Sequence, residues 1–251
     1  MVIFIVQLLS MILVAACYAS VGLGGGTAYL AVLSFGDIDP GAIRPMAWSL
    51  NIIVTTVGLR NYMKKGHFSL PFSWPFLIGG AVGGAAGARI PISPRAFQWL
   101  LAVTLFIIAV RMIQQSIGGR RVPAETKAIP WGLSLFIGLV IGVLSGLVGI
   151  GGGIVLGPVL LAFGWAGMKK VAALTSAYIL ISSAGALAAH FAGGGGIDAA
   201  KLAVFGVLCL IGGYLGSRYG AGRAAPARLM RIFSVLVLFA SLRLGYNLFT
   251  V

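Results

Sequence analysis

The chain has 251 residues, 59% of them hydrophobic and 9% charged, with a net charge of +14 and a mean hydropathy of +1.05. These values exclude a soluble globular domain and a disordered chain, and they define an all-α polytopic membrane protein. The basic excess, which in a soluble chain would suggest nucleic acid, is scattered through short connections between apolar runs. Lipid headgroups and topology account for it there, so the bilayer rather than nucleic acid is the expected partner.

In chain order, the first apolar run (2–35) is too long for one membrane helix of about 20 residues. It is interrupted by Gly22-Leu23-Gly24-Gly25-Gly26. Glycine unwinds readily and lets other groups approach the backbone. No Lys or Arg precedes the run, so residues 1–20 read as a retained helix and not as a secretory signal. At about 1.5 Å per residue, 27–35 covers roughly half of a ~30 Å hydrocarbon core and reads as a half-helix. Residues 43–59, 70–88 and 96–117 follow, each near spanning length and separated by Lys, Arg, Pro and Gly. The most polar connector is 118–129, with Arg120, Arg121, Glu125 and Lys127. The plan then recurs as 130–148, Gly149-Ile150-Gly151-Gly152-Gly153, a half-length 154–163, and 171–191, 199–217 and 229–249.

A shift of 127 residues superposes Gly149, Gly151, Gly152, Gly153, Ser176 and Gly185 on Gly22, Gly24, Gly25, Gly26, Ser49 and Gly58. Such matching identifies an internal repeat. Residues 1–251 therefore read as one transmembrane domain made of repeat 1 (2–117), a polar linker (118–129) and repeat 2 (130–250). The later Gly79 to Gly87 and Gly212 to Gly216 stretches read as close helix packing.

Counting basic residues separates two topologies, because cytoplasmic loops carry the excess of Lys and Arg. If each copy crosses four times, the two sides are nearly balanced. If the half-helix folds back, one side holds Arg60, Lys64, Lys65, Arg120, Arg121, Lys127, Lys169, Lys170, Arg218, Arg223, Arg228 and Arg231. The other side then keeps only Arg44, Arg89, Arg95 and Lys201. That imbalance favours inverted repeats, each with a Gly-broken helix, a re-entrant half-helix and three further spans. The expectation is about 8 spans and 2 half-helices in all, with both termini outside.

Inverted repeats with broken helices occur in secondary transporters, where half-helix N-termini aim at the anionic group of the substrate near the midplane. The N–H groups around Gly24, Gly25, Gly26 and Thr27, and around Gly151, Gly152 and Gly153, would lack helical partners and carry the positive end of a helix dipole. The competing reading is a pair of tight packing corners. Neither run continues as a phosphate-binding loop. Polar residues on the apolar helices are Thr27, Ser49, Asn51, Thr55, Thr56, Thr175, Ser176, Ser182 and Ser183. Ser49, Asn51, Thr175 and Ser176 lead, since their helices directly follow the half-helices; bonding to their own helix backbone is the alternative. Arg111 and Arg243, in the last helix of each copy, either snorkel or turn inward as anion contacts. His190 alone among the histidines falls at membrane depth.

All four acids, Asp37, Asp39, Glu125 and Asp198, fall in connectors, which argues against a proton relay through a buried carboxylate. Cys17 and Cys209 are isolated, so neither a metal nor a cofactor is expected. Without a nucleophile–base pair or a ligand cluster, no catalytic residue is assigned and the chain does not read as an enzyme. An anion channel built on the same cavity is the alternative to a carrier, ahead of a membrane-embedded enzyme.

The two Gly runs, the second followed by Pro158-Val159-Leu160 and Ala173-Leu174-Thr175-Ser176, resemble the sulfite exporter TauE/SafE family of membrane permeases over nearly the whole chain. The resemblance implies a bacterial inner-membrane permease for a small sulfur-containing anion such as sulfite or an organosulfonate. It does not choose among these substrates. The first copy departs from the pattern, with Ala31 where the second has Pro158 and Trp48 where the second has Thr175. Chemically unequal half-sites are therefore expected, in which Trp48 narrows the cavity, touches an aromatic sulfonate, or simply packs. Transport direction, coupling ion and oligomeric state, a homo-oligomer included, stay open.

Overall fold

The computed structural model describes residues 2–34, 40–90 and 128–229, with further positions at 99, 106, 110, 231, 232, 234–236, 238, 239 and 242. Arg111, Arg243, Asp37, Asp39 and Glu125, with most of 96–127 and of the final segment, lie outside the described residues. Among those described the chain is helical and contains no strand: α1 (Val2–Ser20), α2 (Gly26–Ser34), α3 (Pro40–Lys64), α4 (Leu70–Arg89), α5 (Trp131–Val148), α6 (Gly153–Ala162), α7 (Met168–Ala192) and α8 (Ala199–Ala221). The two half-length helices start at the glycine runs, as the length argument requires.

Among the described residues four helices, α3, α5, α7 and α8, are long and apolar enough to cross a membrane. They divide by environment. Over their apolar windows α7 is 67% buried and α3 56%, against 33% for α5 and for α8. The first two form the centre, and the others present Phe136, Val207, Ile211 and Leu215 outward. An apolar exterior of this kind suits lipid, which rewards no hydrophobic burial.

Since lipid supplies no hydrophobic drive, close backbone packing must hold the helices together, and glycine makes it geometrically accessible. Gly79, Gly83 and Gly87 of α4 lie against the main chain of α5 around Leu135, Leu139 and Val143. Reciprocally, Gly138, Gly142 and Gly146 of α5 lie against Phe76, Gly80 and Gly84. Residue numbers rise together across this contact, so the two helices are parallel. Helices α1 and α8 pack in the same sense, Gly212, Gly216 and Gly220 meeting the carbonyls of Ile12, Ala16 and Ser20. At such separations Cα–H groups face carbonyl oxygens directly. The packing reading of both glycine stretches is thus what the structure contains.

At the centre α3 and α7 run antiparallel. Gly58 sits beside Ser176, and towards the opposite end of α3 the Trp48 ring meets the His190 ring with centroids 6.2 Å apart. Helix α2 doubles back along α1: Gln7 Nε2 donates to Val32 O at 3.0 Å, while near the break the Tyr18 and Thr27 hydroxyls lie 3.1 Å apart. The chain therefore turns at the first glycine run instead of continuing through it.

One end of the bundle collects the basic residues. Lys169 Nζ donates to Ala221 O and Gly222 O at 3.4 and 3.2 Å, and Lys64, Lys65 and Arg218 line a shared cleft of about 260 Å³. At the other end Asp198 caps α8, accepting from Lys201 N at 3.0 Å. That backbone hydrogen bond is the main influence holding the exposed carboxyl below its usual range.

Replacing Gly83 or Gly216 with Val should therefore destabilise the detergent-solubilised protein by about 1–3 kcal/mol, the usual cost of overpacking. Gly132, beside open space, should accept Ala with no fall in the thermal unfolding midpoint.

Candidate functional site

The site begins with how α1 and α5 stop. In α1, Gly22 takes φ +78°, its N–H donates to Ala19 O, and Leu23 N donates to Tyr18 O. This is a Schellman ending, whose left-handed residue favours glycine. In α5, Gly149 is left-handed and donates to Ser145 O, the simpler single-bond ending. Arg44 lies alongside, its stem against Gly149 and its guanidinium donating to Leu147 O at 3.1 Å. Sequence reasoning used Arg44 only in the charge count; as a cation at a helix C-terminus it satisfies a carbonyl that the break would orphan.

The two interruptions meet. A Cβ on Gly26 would stand 2.9 Å from Ile150 O, so the runs touch through backbone. Between them lie Asn51 of α3 and Ile179 of α7. The Asn51 carboxamide abuts Gly24, Gly26 and Gly151, and Ile179 abuts Gly24, Gly151 and Gly153. Both half-helices start here: Ala28 N donates to Gly25 O and Val155 N to Gly152 O, while Gly153 N, expected to be unpartnered, donates to Gly151 O at 2.7 Å. Gly24 and Gly25 precede α2 and Gly26 begins it, so the positive end of the helix dipole is directed at this junction.

The predicted hydroxyls are employed differently. Thr175 Oγ1 and Ser176 Oγ donate to Gly22 O at 3.0 and 3.1 Å and also lie within reach of Val171 O and Ala172 O on their own helix. They fasten the first glycine run to α7. Ser49 donates to Pro45 O at 2.9 Å, and Thr27 faces Tyr18. Asn51 differs from all of these: it is 0% exposed, and both its Oδ1 and its Nδ2 lack a hydrogen-bond partner. A buried carboxamide with neither end paired is uncommon and costly. Tyr178, 127 residues later, is by contrast satisfied, donating to Gly138 O at 2.6 Å. Trp48 is buried, 2% exposed, with its Nε1 unpartnered, and His190 is half-buried beside it.

Gly25 and Gly152 carry φ values of +102° and +62°, and a Cβ on them would press on Tyr29 and on Tyr178 with Ser145. Substitution there strains the fold whatever the substrate does, so Asn51 is the more discriminating residue. Ile179, Tyr178 and Arg44 carried no sequence signal for a site, since apolar, aromatic and interfacial basic residues abound in any membrane helix. Among the described residues no group of three His, Cys, Asp or Glu is placed to hold a metal.

Broken helices meeting around a buried amide in an apolar helical bundle define a membrane protein of the transporter class. The chain belongs to the sulfite exporter TauE/SafE family, which it matches over residues 7–244. It is also similar to the probable membrane transporter protein y4hK of Sinorhizobium fredii, with 31% identity over 232 residues, 92% of this chain and 94% of that one. No solved structure matches it.

Because Gly22 O accepts from two hydroxyls, losing one should be cushioned. Thr175→Val and Ser176→Ala should each cost about 0.5–1.5 kcal/mol, and the double variant more than their sum, since it orphans the carbonyl. Equilibrium unfolding of the three variants measures the coupling.

Proposed function

We propose that this chain is a secondary transporter that moves a small sulfur-containing anion, such as sulfite or an organosulfonate, across the bacterial inner membrane. The observation that carries the reading is the fully buried, unpartnered Asn51 carboxamide, set against Gly24 and Gly26 of one glycine run and Gly151 of the other. Its Nδ2 donates to a substrate oxygen, and the N–H groups at the starts of α2 and α6 supply the remaining charge compensation. The sulfur chemistry rests on the family's description.

Mechanistically, the substrate sits between the two runs, with Ser49, Thr175 and Ser176 in the surrounding shell. The one acid among the described residues, Asp198, caps a helix at the bundle's end, so any coupling proton travels on the substrate or through His190. Arg111 and Arg243 remain candidates for inward anion contacts. A single transmembrane domain of inverted repeats accommodates all of this. Three observations support that architecture: α2 doubling back on α1, the antiparallel α3 and α7, and the parallel pairs α1 with α8 and α4 with α5. Lys65 and Lys169, which a four-crossing plan assigns to opposite faces, both approach Gly222. On this reading their end is cytoplasmic and both termini are periplasmic.

Asn51→Leu keeps the shape and removes the unsatisfied amide. Saturable sulfite or methanesulfonate flux in proteoliposomes should disappear while thermal stability holds or rises. Full flux in that variant would sink the assignment. A Cys placed at Lys64 should react with an impermeant thiol reagent only from the cytoplasmic side; labelling of intact spheroplasts would overturn the topology.

A further inference from the structure

Apart from Asn51, three buried side-chain polar atoms among the described residues have no hydrogen-bond partner: Tyr29 Oη, Trp48 Nε1 and Ser183 Oγ. Tyr29 has the Cys209 thiol beside it. The other two fall, like Asn51, on the central helices α3 and α7, and helix geometry aligns them. Trp48, Asn51 and Gly58 share one face of α3, while Ser176, Ser183 and His190 follow at seven-residue steps, two turns each, on α7. Both ends of this pairing are fixed by contact: Gly58 against Ser176 and Trp48 against His190. Ser183, midway on its stripe, therefore faces α3 near the level of Asn51.

The contrast with neighbouring hydroxyls is chemical. Ser182 donates to Ile179 O at 3.4 Å, Thr55 to Asn51 O at 2.6 Å and Ser49 to Pro45 O. A helical serine ordinarily has such a backbone acceptor one turn behind it. Ser183 leaves it unused, and the indole N–H of Trp48 is a donor with no capacity to accept. Unpaired polar atoms concentrated along one helix–helix seam mark a lining that completes its hydrogen bonds when something occupies the seam.

We propose that this seam, from Asn51 past Ser183 and Trp48 to His190, is the arm of the transport pathway leading to the periplasmic end, and that Trp48 Nε1–H and Ser183 Oγ–H are its hydrogen-bond donors for the moving oxyanion. The inference rests on the Asn51 site proposed above. Two donors in the lining suit an anion with several acceptor oxygens, such as sulfite or a sulfonate, and the indole N–H of Trp48 can serve no other charge type, since it only donates. At the mouth, His190 Nε2 lies 3.1 Å from Gly196 O and the Gly195 backbone rests on the imidazole, so the 193–196 turn closes this arm in the present conformation. Opening requires that turn to lift and α3 to separate from α7 around Trp48.

The test uses the full chain in proteoliposomes with sulfite and methanesulfonate. Trp48→Phe keeps an aromatic ring and deletes the N–H; Ser183→Ala deletes the hydroxyl. Each should reduce flux about tenfold, the effect of one such interaction lost in transit; Ser183→Ala should do so with no drop in the thermal unfolding midpoint, whereas Ser182→Ala should match wild type. In a Cys17→Ser, Cys209→Ser background, Ser183→Cys should react with an impermeant methanethiosulfonate from the periplasmic side, more slowly when methanesulfonate is present. Wild-type flux in both Trp48→Phe and Ser183→Ala, or no labelling of Ser183→Cys from that side, overturns the proposed arm. If Asn51→Leu is nevertheless inactive, the central site survives that outcome; if Asn51→Leu is also fully active, the site itself fails.

Discussion

A membrane interior offers no water to a broken helix, and every main-chain group released by a break must find a partner or be covered by protein. This chain contains two such breaks at depth, and the architecture follows from covering them. Helix α7 brings Thr175 and Ser176 to the carbonyl of Gly22, Arg44 reaches back to Leu147 O, and the two glycine runs press on each other at Gly26 and Ile150. Of the four long apolar helices, the two more buried, α3 and α7, are those that lie over the breaks.

The glycine stripes serve the same need from outside. Helices α4 with α5, and α1 with α8, approach until main chain touches main chain. The contact between α3 and α7 is more polar than these outer pairs, with Asn51, Ser176, Ser183 and His190 on it. The cost of an unsatisfied amide at Asn51 is offset by the surrounding packing.

Much of this was legible in the residues. The half-helix boundaries expected at 27–35 and 154–163 lie within one residue of α2 and α6, because helix length and glycine breaks are local properties. Family membership could likewise be read from the two glycine runs and the segments that follow the second. Within the site, Asn51 was named among several polar candidates, but nothing local separates it from Ser49 two residues earlier. Serine and threonine carry a short hydroxyl that finds a carbonyl one turn back, as Ser49 does. In Asn51 the larger carboxamide instead extends to Gly24, Gly26 and Gly151.

By itself, then, the sequence determined the helical membrane class, the positions of the two breaks and the small set of polar side chains available near them. Tertiary structure alone decided which of those side chains are consumed and which are left over. Thr175 and Gly22 are 153 residues apart in sequence, and whether a hydroxyl meets a carbonyl at that separation depends on the register between helices. That register accompanies close backbone contacts of α7 itself, Gly22 against Ala172, Gly84 against Ser182 and Gly185 against Ala81, a property of whole facing surfaces that no short window of residues contains.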